Sequence, residues 1–121
     1  MVYVKINGIQ YPAIVRGSTE DTNWDDRASE AIKLEMTHGE AMAVFHDGAE
    51  WSIITEGIGY EERFDEEGNP YLVEVVKVKE VDYSAFCLAG DVTDHRDGTV
   101  TVKMGKLTPL EEAYEIMLGG I

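Results

Sequence analysis

A chain of 121 residues, 44% of them hydrophobic, has the length and apolar content for a single domain, residues 1–121, around one core, which sets it apart from disordered chains. Its 24 acidic residues against 10 basic give a formal net charge of -14. A field of that sign repels phosphate backbones and anionic lipid, so neither nucleic acid nor a membrane is an expected partner.

Cys87 is the only cysteine, so no internal disulfide can form, which suits a reducing compartment. The longest apolar run, 41–45, is far short of a membrane span, and the opening MVYVKING lacks the basic start and apolar run of a signal peptide. The expected location is cytoplasmic.

Val2, Val4 and Ile6 alternate with Tyr3 and Lys5, and Asn7-Gly8 then supplies a two-residue hairpin signal. The return strand covers 9–16, where Pro12, lacking an amide hydrogen, belongs at an edge or bulge. Beyond the acidic stretch 18–30, Ile32, Leu34 and Met36 alternate onto one face. Thr37 and Glu40 form a capping box, each side chain accepting from the other's amide. Ala41, Val44 and Phe45 share a helical face, and Gly48 is placed to end it, which predicts a helix of about two to three turns.

A strand over 50–55 puts Trp51 and Ile53 on one face, and Gly57-Ile58-Gly59 predicts a break after it. A short strand over 60–64, a polar turn over 65–70 and a long valine-rich strand over 71–81 follow. Residues 85–92 and 99–104 predict a hairpin around the acidic turn TDHRDG. Thr108-Pro109 opens a second helix, with Glu111, Glu112 and Glu115 near its positive end and Gly119-Gly120 as its stop. The sum is an α+β fold: about seven mainly antiparallel strands in a twisted sheet or incomplete barrel, covered by two short helices.

A β-β-β-α repeat is also legible in this order. Tyr11-Pro12-Ala13-Ile14 parallels Tyr83-Ser84-Ala85-Phe86, and each leads through an acidic loop and a methionine-ended strand to a threonine-capped helix. Segment 40–48 matches 112–120 without a gap. If the duplication is real, the two acidic loops occupy comparable positions.

Chemistry finds little to work with. Asp21-x-Asn23-x-Asp25 begins like a calcium loop, but the sixth position holds Asp26 instead of glycine and the twelfth holds Ile32 instead of glutamate. Asp91, Asp94, His95 and Asp97 cluster in the second acidic loop, where Asp97-Gly98 is equally a turn dipeptide. His38 and His46 are too far apart for the one-turn spacing of helical metal ligands, and Cys87 has no local cation to stabilise a thiolate. No phosphate-cradling glycine loop, nucleophilic-serine turn or zinc pair is present, and Gly57-x-Gly59 lacks a third glycine. No catalytic residue, cofactor or metal ligand is therefore assigned.

Binding remains, because aromatic residues set among polar ones anchor protein interfaces. The candidate partner-binding residues are Trp24, Asp25, Asp26 and Tyr60, with Asp94, His95 and Asp97 in the second acidic loop. Two roles fit Trp24: a plug over the edge of the core, or an anchor for a partner.

The segments VKINGIQYPA and EAMAVFHDGAEWSII resemble small prophage-encoded proteins of Gram-positive bacteria. Many of those open with an ING-x-x-YPA-like hairpin and lie among head, tail or baseplate components. The resemblance covers the first half of the chain, includes no catalytic motif and carries over no functional residue. It implies a virion, assembly or accessory role: a non-enzymatic structural protein acting through protein contacts, self-association by edge strands included. Two alternatives stand beside it. One is an acidic decoy for a nucleic-acid-binding protein, using the clusters at 20–30 and 56–67; the other is a divalent-metal module or enzyme built on the acidic loops.

Overall fold

The computed structural model describes residues 1–119. Its strands are β1 (Val2–Ile6), β2 (Ile9–Asp21), β3 (Arg27–Glu35), β4 (Trp51–Phe64), β5 (Pro70–Asp82), β6 (Leu88–Asp94) and β7 (Thr99–Gly105). Helix α1 (His38–Val44) follows β3, and α2 (Pro109–Gly119) follows β7. Every strand pairing is antiparallel, in one open sheet of order β5-β4-β1-β2-β3-β7-β6. The α+β class and the seven strands agree with the sequence pattern.

Strand β2 is the pivot. Residues 9–12 pair with β1, and from Ala13 onward the strand pairs with β3 instead. A strand that passes from one half-sheet to the other makes a corner. The sheet therefore curls, and strands from both halves reach one core. Val4 and Ile6 of β1, Ile32 and Leu34 of β3, Trp51 of β4, and Val100, Val102 and Met104 of β7 are all buried together there. Helix α1 closes this face with Ala41 and Phe45. Each fully buried aliphatic side chain of this kind stabilises by about 1.5–3 kcal/mol.

Local chemistry accounts for the connections. Asn7 and Gly8 adopt φ of 54° and 77°, the paired left-handed geometry that a two-residue hairpin demands. At the head of α1 the Thr37 hydroxyl accepts from the Glu40 amide at 3.1 Å. The reciprocal half of that capping box is absent among the described residues. The full box stands at α2 instead, where the Thr108 amide donates to Glu111 at 2.9 Å and the Glu111 amide donates to the Thr108 hydroxyl at 3.3 Å.

Several expectations are corrected. Gly57-Ile58-Gly59 does not break the strand: β4 continues to Phe64, paired with β5 from Ser52↔Asp82 to Phe64↔Pro70. Gly59 is useful there, because a Cβ would lie 2.8 Å from the Lys77 Cε that crosses it. Residues 85–87 are not strand, since Ser84 bonds back to Asp82 and turns the chain. Strand β2 runs on to Asp21, so the first acidic loop is only a short turn. Helix α1, by contrast, spans 7 residues, about two turns, as its spacing predicts.

Helix α2 does not cover the sheet. Leu110, Tyr114, Met117 and Leu118 are exposed, and no apolar face of the body meets them. The expected stop at Gly120 lies outside the described residues. The repeat does not carry into three dimensions either. Tyr11–Ile14 sit within β2, whereas Tyr83–Phe86 form a turn. The β2–β3 turn lies at the Ser29↔Gly105 end of the β3–β7 ladder and the β6–β7 turn at its Glu35↔Thr99 end, so the two acidic loops stand at opposite ends of the sheet.

Candidate functional site

The first acidic turn is organised from within. The Asp21 carbonyl accepts from the Trp24 and Asp26 amides, each at 2.9 Å. The Asp21 carboxylate is buried, takes the Lys103 ammonium at 2.6 Å, and also accepts from Ser29 Oγ and the Asn23 amide. The Lys103 bond, before the smaller contributions, holds that carboxyl below its ordinary range. Asp25 and Asp26 sit at φ of 55° and 56°, a region that short polar side chains tolerate, and both are exposed.

Trp24 is half-buried and turns inward. Its ring lies across two glycines, Gly90 at the start of β6 and Gly105 at the end of β7, where an added Cβ would come within 2.8 Å and 2.6 Å of it. The Arg27 guanidinium sits 5.0 Å from the ring centroid, a cation–π distance. Arg27 is itself buried and donates to both Glu111 oxygens at 2.7 Å and 3.2 Å, and to the Lys106 carbonyl at 3.2 Å. That fork ties the first turn of α2 to the body. It also holds the Glu111 carboxyl down to about 2, with the Thr108 amide assisting.

The second acidic turn serves its own hairpin. Asp94 accepts from the Arg96 amide, and Asp97 from the Thr99 amide. His95 Nε2 shares a hydrogen bond with the Thr101 hydroxyl at 2.7 Å. Asp97 lies below its ordinary range chiefly because of the Thr99 hydroxyl. Among the described residues no three His, Cys, Asp or Glu side chains are grouped to hold a metal ion. The seven sequence candidates thus separate: Trp24, Asp25 and Asp26 at one end of the sheet, Asp94, His95 and Asp97 at the other, and Tyr60 on a third element.

That third element presents several large apolar side chains to solvent. Strand β1 pairs with β4 only up to Thr55. Glu56 still exchanges backbone hydrogen bonds with Met1, at 2.8 Å and 2.7 Å. From Gly57 to Phe64, and back from Pro70 to Lys77, the two strands have only each other, forming an arm that leaves the body. In register, Glu56↔Val78, Ile58↔Val76, Tyr60↔Glu74, Glu62↔Leu72 and Phe64↔Pro70 share one face, continuous with the outer face of the body sheet. Exposures are 66% for Ile58, 64% for Tyr60 and Phe64, and 71% for Leu72 and Val76. The opposite face carries Arg63, Lys77 and Lys79, with Glu61 bridged to Arg63 at 3.5 Å and Lys77 at 3.9 Å. At the tip, Asp65 Oδ1 accepts from the Glu67 and Asn69 amides, and Gly68 takes φ of 84°, so the turn is built rather than loose.

Of this surface the sequence picked out Tyr60 and missed Ile58, Phe64, Leu72 and Val76. The signal was present as alternation of apolar residues with glutamate on both sides of DEEGNP. Only the pairing register shows that both alternations address the same face. No helix among the described residues is long and apolar enough to cross a membrane. Compared with known proteins, the chain has no significant match to any family model, curated protein or solved structure.

Proposed function

We propose that the chain is a non-enzymatic structural or assembly protein of a phage-like element, and that it works by docking its β4–β5 arm onto protein surfaces. The observation that supports this is a two-stranded arm with an apolar face presented to solvent and a hydrogen-bonded tip. A soluble fold does not extend such a surface without use, because contiguous exposed apolar patches of several hundred Å² mark interaction sites. Helix α2 adds a second uncovered apolar stripe: Leu110, Ala113, Tyr114, Met117 and Leu118 follow helical spacing. The acidic-decoy alternative draws less support, since Asp21 and Asp25 of its first cluster are engaged with Lys103 and Arg27.

The test is to trim the arm. Joining Glu56 to Val78 through an Asn-Gly turn preserves every pairing that β1 makes with β4. In cells producing particles of the element, the full-length chain is expected to co-sediment with particles or their assembly intermediates. The trimmed chain, folded with an unchanged melting temperature, is expected to stay in the supernatant. Equal sedimentation of the two chains, or absence of the full-length chain from every assembly, would sink the proposal.

A further inference from the structure

Resting on that proposal, we infer that the surface received by the arm belongs to a second copy of this chain, and that it is the outer face of β2 and β3. Area sets the first requirement. The exposed apolar groups of Ile58, Tyr60, Phe64, Leu72, Val76 and Val78 lie together on one arm face, a broad patch of the kind that contributes to the roughly 800 Å² one partner brings to a standard interface. An occupant must be a comparably broad surface, not a small ligand.

Charge sets the second requirement. The same arm face carries Glu56, Glu62 and Glu74, so its occupant must be apolar with cations at its rim. In a chain of net charge -14, such a place is scarce. It exists on the outer face of β2 and β3, where Ile14 is 61% exposed between two cations, Arg16 and Lys33. Both cations are exposed, and neither joins an ion pair among the described residues. Met1 and Pro12 extend the apolar surface beside them along a shallow cleft, and Glu35, two residues beyond Lys33, is the one carboxylate lining it.

Spacing agrees as well. Glu62 opposes Leu72, two residues from Glu74; Arg16 opposes Ala31, two residues from Lys33. Each charge pair therefore spans one diagonal of an antiparallel ladder, roughly 7–8 Å. The arm surface and the Ile14 surface lie on the same side of the sheet, so two copies face to face satisfy both at once, each arm seated on the other's β2–β3.

Charge exchange tests this directly. The arm variant E62K/E74K and the seat variant R16E/K33E are compared with the wild type by analytical ultracentrifugation, with circular dichroism to confirm folding. The wild type is expected to dimerise. Each variant alone is expected to dissociate with a constant raised at least roughly a hundredfold, since like charges then meet. An equimolar mixture of the two is expected to recover the dimer, because the exchanged arm meets the exchanged seat. Variants that dimerise as tightly as the wild type, a mixture that stays monomeric, or a monomeric wild type at high concentration each overturn the inference. A monomeric wild type whose arm still governs particle association removes this inference and leaves the proposed function standing. A dimer that joins no particle does the reverse.

Discussion

The Trp24 turn and the β4–β5 arm look alike on paper. Each sets an aromatic residue among carboxylates in or beside the connection between two antiparallel strands. They end in opposite conditions. Trp24 folds onto Gly90 and Gly105, with Arg27 behind it, and the Asp21 carboxylate beside it is consumed by Lys103. Tyr60 and Phe64 stay in solvent, because beyond Thr55 no third strand runs alongside β4. An aromatic among acids is thus neither plug nor anchor by its own nature. What decides is whether the fold brings a surface without side chains beneath it.

The sharpest way to break the contrast is to remove that glycine floor. Trp24→Ala is expected to cost about 2–3 kcal/mol, less than for a fully buried aromatic because the residue keeps part of its surface in solvent. Gly90→Ala alone is expected to cost about 1–3 kcal/mol, since its Cβ would sit 2.8 Å from the indole. In the Trp24→Ala background both indole atoms are gone, the Lys103 carbonyl at 3.2 Å remains, and the same change should cost less. Urea denaturation of the four proteins measures the coupling, expected at about 1 kcal/mol or more. Additive effects would mean that the tryptophan does not rest on Gly90.

The parts legible in the sequence were those governed by neighbours along the chain. Asn7-Gly8, the alternation in each strand, and the threonines opening both helices depend on residues within a few positions. The parts missed depend on distant partners. Arg27 and Glu111 are 84 positions apart, and nothing near either announces a buried fork. The glycines at 57 and 59 resemble a break because their cost is local, whereas the ladder with β5 that overrides it is not. Strand periodicity states which residues share a face, but sheet order decides whether anything covers that face. Hence the arm reads like an interior strand until its neighbours are known.

A smaller effect comes from pH and concerns the fork that anchors α2. Glu111 is held at about 2, below the ordinary 4.5 of a glutamate. A carboxyl depressed in the folded state contributes stability that is complete above its unfolded value and is lost as pH falls through its folded value. The stability difference between the wild type and Glu111→Gln should therefore be flat above about pH 4.5 and shrink from there toward pH 2. Paired denaturation curves across that range check this, and the Glu111 carboxyl shift by NMR should titrate near 2. A midpoint near 4.5 would mean that the fork with Arg27 does not persist in solution.

The smallest expected effect carries the other half of the comparison. Tyr60→Ser and Phe64→Ser remove large aromatics, yet each should change unfolding free energy by about 0.5 kcal/mol or less, because the lost groups touch solvent rather than a core. The comparable removal at Trp24 is expected to be several times costlier, because that ring rests on the body. What the arm substitutions should reduce is association, read as a lower sedimentation coefficient at fixed concentration. Stability and assembly would then separate by region within one acidic chain. A large loss of stability at Tyr60 or Phe64 would mean instead that the arm folds back on its own body, and that its apolar face is covered within a single copy.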